Sequence, residues 1–364
     1  MRYERPAFGS EMETIPALSP FGGGGNRLPK FDRPITPKEN FYRAARRDHP
    51  LWVPFPTADM QELHMCHLAE HGPEGYQLGP DLGAKAARYT YLDAFGNHWT
   101  WDRNAGGACM TPGTRVCEDI LDWEEKIHFP DYHEWDLAES AAHFLKEKYD
   151  PERLLHIDIY HGPFQALSDL LGGFAEALEA MFVEPDASRA FFDRFADWMI
   201  WWIDTLSALY PVDMFTVHDD WGTEKDAFFS PDMMRELLFE PTKRIIDHVH
   251  GLGKLYQFHC CGRVNKFLDA FCELGADFMQ LQRRVNDTPQ YKALYGDRLG
   301  FNTALEGDPA ADLIGSVRNT IDLFAAGGGF SLMVRPASPE ALWNMYSEVY
   351  CYSREFYDRE EANQ

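Results

Sequence analysis

KLYQFHCCGRVNKFLDAFCELGADFMQLQ, residues 254–282, reads as a strand, a helix and a second strand. KLYQFHCC and ADFMQLQ are short apolar runs, and RVNKFLDAFCELG between them is a helical segment. The same rhythm runs from residue 153 onward. RLLHIDIYH, DMFTVHDDW, RLGFNTAL and GGGFSLMV are further strand candidates, and PDASRAFFDRFADWMIWWIDTLSALY and SPDMMRELLFEPTKRIIDHVHGLG are helices between them. Such alternation means a parallel sheet, either doubly wound or closed into a barrel. The strand ends favour the barrel. Asp158, Tyr160 and His161, then His218, Asp219 and Asp220, then His259 and Cys261, then Gln280 and Gln282, and finally Asn302 and Glu306 fall at successive C-terminal ends. That rim is where a (β/α)8 barrel keeps its chemistry.

Outward from this core the chain is less regular. Residues 1–35 are rich in Pro and Gly, with FGGGGN at 21–26, and read as a flexible N-terminal arm or lid. TPKENFYRAARRDHP reads as a capped helix, with Thr36 at the cap, Pro37 in the first turn and Glu39 at capping-box spacing. LWVPFP follows as a short strand. Residues from about 60 to 150 are broken by turn signals such as GPEG and AGGACMTPGT and are expected to form a cap-like insertion. Residues 36–364 then make one α/β domain, a (β/α)8 TIM barrel carrying that insertion.

Composition narrows the function classes. In 364 residues, 45% hydrophobic and 14% aromatic content supports a sizeable core. The formal net charge of −24 repels phosphate backbones and anionic membrane surfaces, which argues against nucleic acid and membrane partners. Seven scattered cysteines suit a reducing compartment better than a disulfide scaffold. The opening MRYERPAFGSEMETIP is charged where a signal peptide is apolar, and the most apolar helix contains Asp204, so a cytoplasmic location is expected.

Residues two apart on a strand point the same way, so His259 and Cys261 reach one point while Cys260 faces the other side. Imidazole with thiolate suits zinc, and Gly262 lets the chain turn closely past an ion. A packed cysteine beside a hydrogen-bonded core histidine is the alternative. VHDDWGTEK adds two carboxylates at one rim position. Asp220 and Glu224 read as a solvated turn, whereas Asp219, at the end of an apolar strand, reads as a group for substrate, metal or metal-bound water. Glu306 in NTALEGD offers an oxygen ligand, with a solvated or capping carboxylate as the alternative. Tyr160, His161, Asp219, Trp221 and Gln282 are expected to line one cavity at the rim. HMCH at 64–67 is dense in donors (His64, Cys66, His67) but has no strand-end pattern around it. No P-loop, GxGxxG or GxSxG motif occurs.

Several of these segments together resemble the uroporphyrinogen decarboxylase superfamily, in its cobamide (corrinoid)-dependent methyltransferase branch. They are PKENFYRAARRDHPLWVP, HGPFQALSDLLGG at 161–173, VHDDWGTEKDAFFSPDMMRELLFEPTKRIID at 217–247, FHCCGRVNKFLDAFCELGADFMQLQ at 258–282 and AAGGGFSLMVRPASPEAL, spanning roughly residues 35–358. The resemblance implies a (β/α)8 barrel. Decarboxylases of this kind carry arginines just after the first strand to grip the porphyrinogen carboxylates, where this chain reads VPFPTADMQELHM. Their tyrosine in the HGPFQALSDLLGG segment is replaced by Asp169. Porphyrinogen decarboxylation is therefore disfavoured. In the methyltransferases, HxC supplies two zinc ligands, which carry over to His259 and Cys261. Their later cysteine is absent, since this chain reads AAGGGFSL there.

The resemblance thus implies a zinc-dependent methyltransferase. Its cofactors are zinc and a methylcobamide carried by a corrinoid-binding partner protein, and its other partner is a small methyl donor or acceptor, such as an aryl methyl ether or a methylamine-like compound. A homodimer is compatible with this reading. The expected metal ligands are His259, Cys261 and Glu306, with nitrogen and sulfur within about 4 Å of each other because zinc bonds span roughly 2.0–2.3 Å. Asp219 and Glu306 are the catalytic candidates. The alternatives are a metal-independent decarboxylase of another acid, using Asp219 or Asp220, and a binding protein that has lost catalysis.

Overall fold

The computed structural model describes residues 3–17, 25–63, 81, 85–135, 137–334 and 336–362. The HMCH group at 64–67 lies outside them. Strands β1 (Thr14–Pro16) and β2 (Arg27–Pro29) pair antiparallel, and β4 (Arg88–Leu92), β5 (His98–Asp102) and β6 (Gly107–Met110) form an antiparallel meander. The main sheet is parallel. It contains β3 (Met60–Leu63), β7 (Leu154–Ile159), β8 (Met214–His218), β9 (Leu255–Cys260), β10 (Phe278–Leu281), β11 (Phe301–Thr303) and β12 (Phe330–Leu332). Their order is β12-β11-β10-β9-β8-β7-β3, a curled seven-stranded sheet with helices between successive strands.

Period-two alternation explains how this sheet builds a site. On one face of the strands Leu155, Ile157, Phe215, Val217, Phe258 and Met279 join the main hydrophobic core with the helices. The other parity starts apolar and turns polar. At the N-terminal ends Met60, Leu154, Met214, Leu255 and Phe278 bury against Phe41 and Ala45 of the helix Pro37–Arg46, which closes that end. Two residues further on the same faces carry Glu62, His156, Thr216, Gln257 and Gln280, and beyond these stand Asp158, His218 and His259. Polar side chains therefore accumulate toward the C-terminal mouth.

Among the described residues seven strands pair, one fewer than a closed (β/α)8 barrel has. LWVPFP forms no strand, because Pro54 and Pro56 have no N–H to give a ladder. It still lies along the sheet edge, since Leu332 N donates to Pro54 O at 3.0 Å. The missing register is taken by β3, whose short MQEL run sits inside the stretch read as the insertion; β3 pairs parallel with β7. The meander β4–β6 follows. Its Asp93 turn accepts from Trp99 Nε1 at 2.8 Å, and Phe95 and Trp99 reach Trp198 and His161, with ring centroids 4.9 and 5.4 Å apart.

The stretch read as a flexible arm touches the helix Pro339–Ala362 at several points. Trp343 Nε1 donates to Pro6 O at 3.1 Å, and Phe31 stacks on Tyr350 at 4.3 Å. Arg33 pairs with the buried Asp59 at 2.8 Å and lies over the Trp52 ring. In the capped helix that follows, Thr36 Oγ1 accepts from Glu39 N at 3.1 Å, while the Glu39 carboxylate turns outward to Arg43.

Candidate metal centre

His259, Cys261 and Asp220 converge where β8 and β9 end. His259 Nε2 lies 3.4 Å from Cys261 Sγ and 3.8 Å from Asp220 Oδ1, and the three ligand atoms all lie within 4.8 Å of one another. One ion can sit among one nitrogen, one sulfur and one oxygen at such spacing. Alternation places 259 and 261 together and turns Cys260 away. Cys260 is 0% exposed and its sulfur accepts from Trp221 N at 3.3 Å. Asp220 is brought in by the backbone, since its Oδ1 accepts from Cys261 N at 2.7 Å.

The donor chemistry fits a cation. Burial, with His218 beside it, pushes the His259 imidazole down to about 4, so at neutral pH it carries a lone pair. Burial and the Asp220 charge push the Cys261 thiol up to about 12, and a bound cation would favour its thiolate. His218 supports the ring. In register opposite His259, it stacks at 4.0 Å between centroids, and its Nε2 is anchored to Asp158 Oδ1 at 2.8 Å. Burial alone would raise the Asp158 carboxyl, but His218 holds it well below the usual carboxylate range.

The other expected site residues are dispersed. Glu306 stands apart from the cluster, its Oε1 accepting from Arg283 Nε at 2.9 Å. Tyr160 sits beside His218, ring centroids 5.1 Å apart. With His161 it lines a cavity of about 30 Å³ walled by Phe95, Tyr132, Trp198 and Trp202. His161 Nδ1 meets Asp169 Oδ2 at 2.8 Å, and Asp169 also accepts from Gln165 Nε2. Burial opposes charge on His161, but the Asp169 hydrogen bond together with the nearby charges of Asp169, Asp93 and Asp219 outweighs it and raises the imidazole, while burial raises Asp169 against the His161 contact. Asp219 and Trp221 are both 0% exposed. Trp221 is packed among Phe229, Phe258, Phe267 and Phe271, and Asp219 accepts from Trp221 Nε1 and from the backbone of the helix Pro163–Leu171. Gln282 serves the turn, its Oε1 accepting from Gly262 N at 2.9 Å. Thus the five residues expected to line one cavity divide between that cavity, the core and the turn.

A larger cavity, about 640 Å³, lies at the N-terminal end of β7, far along the chain path from the cluster. Its cations Lys30, Arg33 and Arg153 are already paired with Glu13, Asp59 and Asp150.

The turn after Cys261 has a strict steric requirement. Gly262 has φ +84°, and an added Cβ would stand 2.1 Å from the Gly222 carbonyl group. Gly262→Ala is expected to lower stability by about 2 kcal/mol, combining left-handed strain with overpacking. It should also push the β8 and β9 ends apart. Denaturant unfolding together with metal uptake checks this; unchanged values for both would show that the turn relaxes without cost.

Sequence reasoning missed Asp220 as a member of the cluster and Gln280 as a neighbour of His259. The doubled carboxylate in HDDW and the strand-end glutamine were the available signals.

The likeness to known proteins agrees with this architecture. A family model described as uroporphyrinogen decarboxylase (URO-D) matches residues 89–317. No curated protein matches the chain. Among solved structures, a methyltransferase from Methanosarcina mazei is similar at TM-score 0.57 and 18% identity, over 89% of this chain and 99% of that one. At that identity the likeness speaks to the fold. Among the described residues no helix is long and apolar enough to cross a membrane.

Proposed function

The chain belongs to the uroporphyrinogen decarboxylase family, and we propose that within it this protein is a zinc-dependent methyltransferase. It moves a methyl group between a small methylated compound and a corrinoid carried by a partner protein. The observation that carries this reading is the convergence of His259 Nε2, Cys261 Sγ and Asp220 Oδ1 at the sheet's C-terminal mouth. The structural neighbour's methyltransferase activity and the missing arginine grip support the same choice.

His259, Cys261 and Asp220 are the residues that would hold the metal, and Glu306, engaged by Arg283, is left out of the set. Zinc bound there supplies Lewis acidity, which stabilises negative charge on an oxygen, nitrogen or sulfur as its methyl group is transferred. The chain supplies the rest. His218 and Asp158 keep the His259 ring in place. Tyr160, next to His218, joins the ligand mouth to the aromatic cavity, and the hydrogen-bonded His161–Asp169 pair stands at its wall. Asp219 frames the mouth rather than touching substrate, because its oxygens face backbone and indole N–H groups and it is sealed from solvent. That placement weakens the decarboxylase alternative in its Asp219 form and leaves Asp220 as the acid or base it would use.

The test is elemental analysis of protein purified without added metal, followed by incubation with free cob(I)alamin and candidate methyl donors. Near-equimolar zinc and donor-dependent appearance of the methylcobalamin spectrum are expected. Zinc-free protein that decarboxylates an acid would favour the alternative.

A further inference from the structure

His259 can offer Nε2 to a metal only if its ring proton resides on Nδ1, since a neutral imidazole carries one proton on one of its two nitrogens. The neighbouring strand makes that choice. Gln280 is the register partner of His259 across β9 and β10, so their side chains leave the sheet on the same face. Gln280 Oε1 stands 2.5 Å from His259 Nδ1. The amide is itself oriented, because its Nε2 donates to Met333 Sδ at 3.3 Å, which turns the oxygen toward the imidazole. An amide oxygen only accepts, so the hydrogen belongs to Nδ1. The ring plane is fixed separately by the His218 stack. Nε2 is left facing Cys261 Sγ and Asp220 Oδ1.

We propose that Gln280 is a positioning residue of the metal centre, whose carbonyl oxygen locks His259 in the Nδ1–H tautomer and so presets Nε2 as a ligand. This rests on the metal reading above and adds the device that prepares the site before an ion arrives. Outer partners of this kind orient metal-bound histidines, and removing them costs roughly 10–100-fold in metal affinity. A neutral amide does this without adding a third anion beside Asp220 and Cys261.

The experiment uses the full chain and Zn²⁺ or Co²⁺ alone. Gln280→Leu keeps the bulk and removes the acceptor, and its zinc affinity, read by competition with a chelating dye, is expected to fall roughly 10–100-fold. Gln280→Glu keeps an acceptor at Nδ1 and should restore binding, a rescue that a purely packing role would not show. Nitrogen-15 NMR of metal-free wild type should place the His259 proton on Nδ1, and Gln280→Leu should lose that preference. Wild-type affinity in a folded Gln280→Leu variant, or a proton on Nε2 in the wild type, overturns the proposal. If the wild type binds neither metal, the metal reading falls by itself, and the NMR result still decides whether the tautomer lock exists.

Discussion

Cys261→Ser is expected to empty the candidate metal centre, lowering zinc affinity by more than the roughly 10–100-fold that loss of an outer partner costs. Sulfur is the soft donor of the trio, and serine replaces it with a hard, neutral hydroxyl that zinc ligates poorly. Among the described residues, His259 and Asp220 would then remain within reach. Cys260→Ser is the control one residue away. Its sulfur points into the opposite side of β9 and accepts from Trp221 N, so the metal should stay while stability drops modestly. Zinc content after dialysis reads the first effect. The thiolate-to-cobalt absorption band of Co²⁺-loaded protein reads it independently, present in wild type and Cys260→Ser and absent in Cys261→Ser. Equal zinc in wild type and Cys261→Ser would remove this site, and with it the methyltransferase reading as argued here.

The contrast between the two cysteines is also where the sequence was most legible. Alternation along one strand is local, so the pairing of His259 with Cys261 and the exclusion of Cys260 follow from position alone. The strand candidates from 153 to 334 were legible for the same reason, and each contains an observed strand. What was not legible depends on long-range geometry. Asp219 and Asp220 are adjacent carboxylates, and which one turns to the ligand mouth depends on where the helix Pro163–Leu171 starts, 54 residues from Asp219 at Gln165. Gln280 meets His259 only through the β9–β10 register. β3 is four residues long and lies among turn signals, so its apolar pattern is too short to separate from a loop. LWVPFP failed in the opposite sense. Its composition suits a strand, and its two prolines withhold the hydrogen bonds.

Asp219→Ala is expected to cost about 4 kcal/mol of stability, because it orphans N–H donors in a sealed site at roughly 1–3 kcal/mol each without full additivity. Asp219 Oδ1 accepts from Gln165 N at 2.8 Å, and Oδ2 accepts from Trp221 Nε1 at 2.8 Å and Phe164 N at 3.5 Å. The first and last of these cap the helix Pro163–Leu171, whose own N-cap, Gly162, has no side chain to do so. Gly162 is needed there, since a Cβ would stand 2.5 Å from the Asp219 Cβ. The backbone completes the joint. Gly162 N donates to His218 O at 2.6 Å and Asp219 N donates to His259 O at 3.0 Å, so this residue links the turn after β7 to the ends of β8 and β9. Burial pushes its carboxyl up to about 7 against the donors that favour the anion, which marks a costly group retained for its hydrogen bonds. Asp219→Asn keeps one acceptor oxygen and should lose less than Asp219→Ala. Denaturant midpoints order the three proteins, and zinc content of the folded fraction reads the site separately. An Asp219→Ala protein as stable as wild type but unable to transfer methyl groups would instead make Asp219 a catalytic residue, and the frame described here would be wrong.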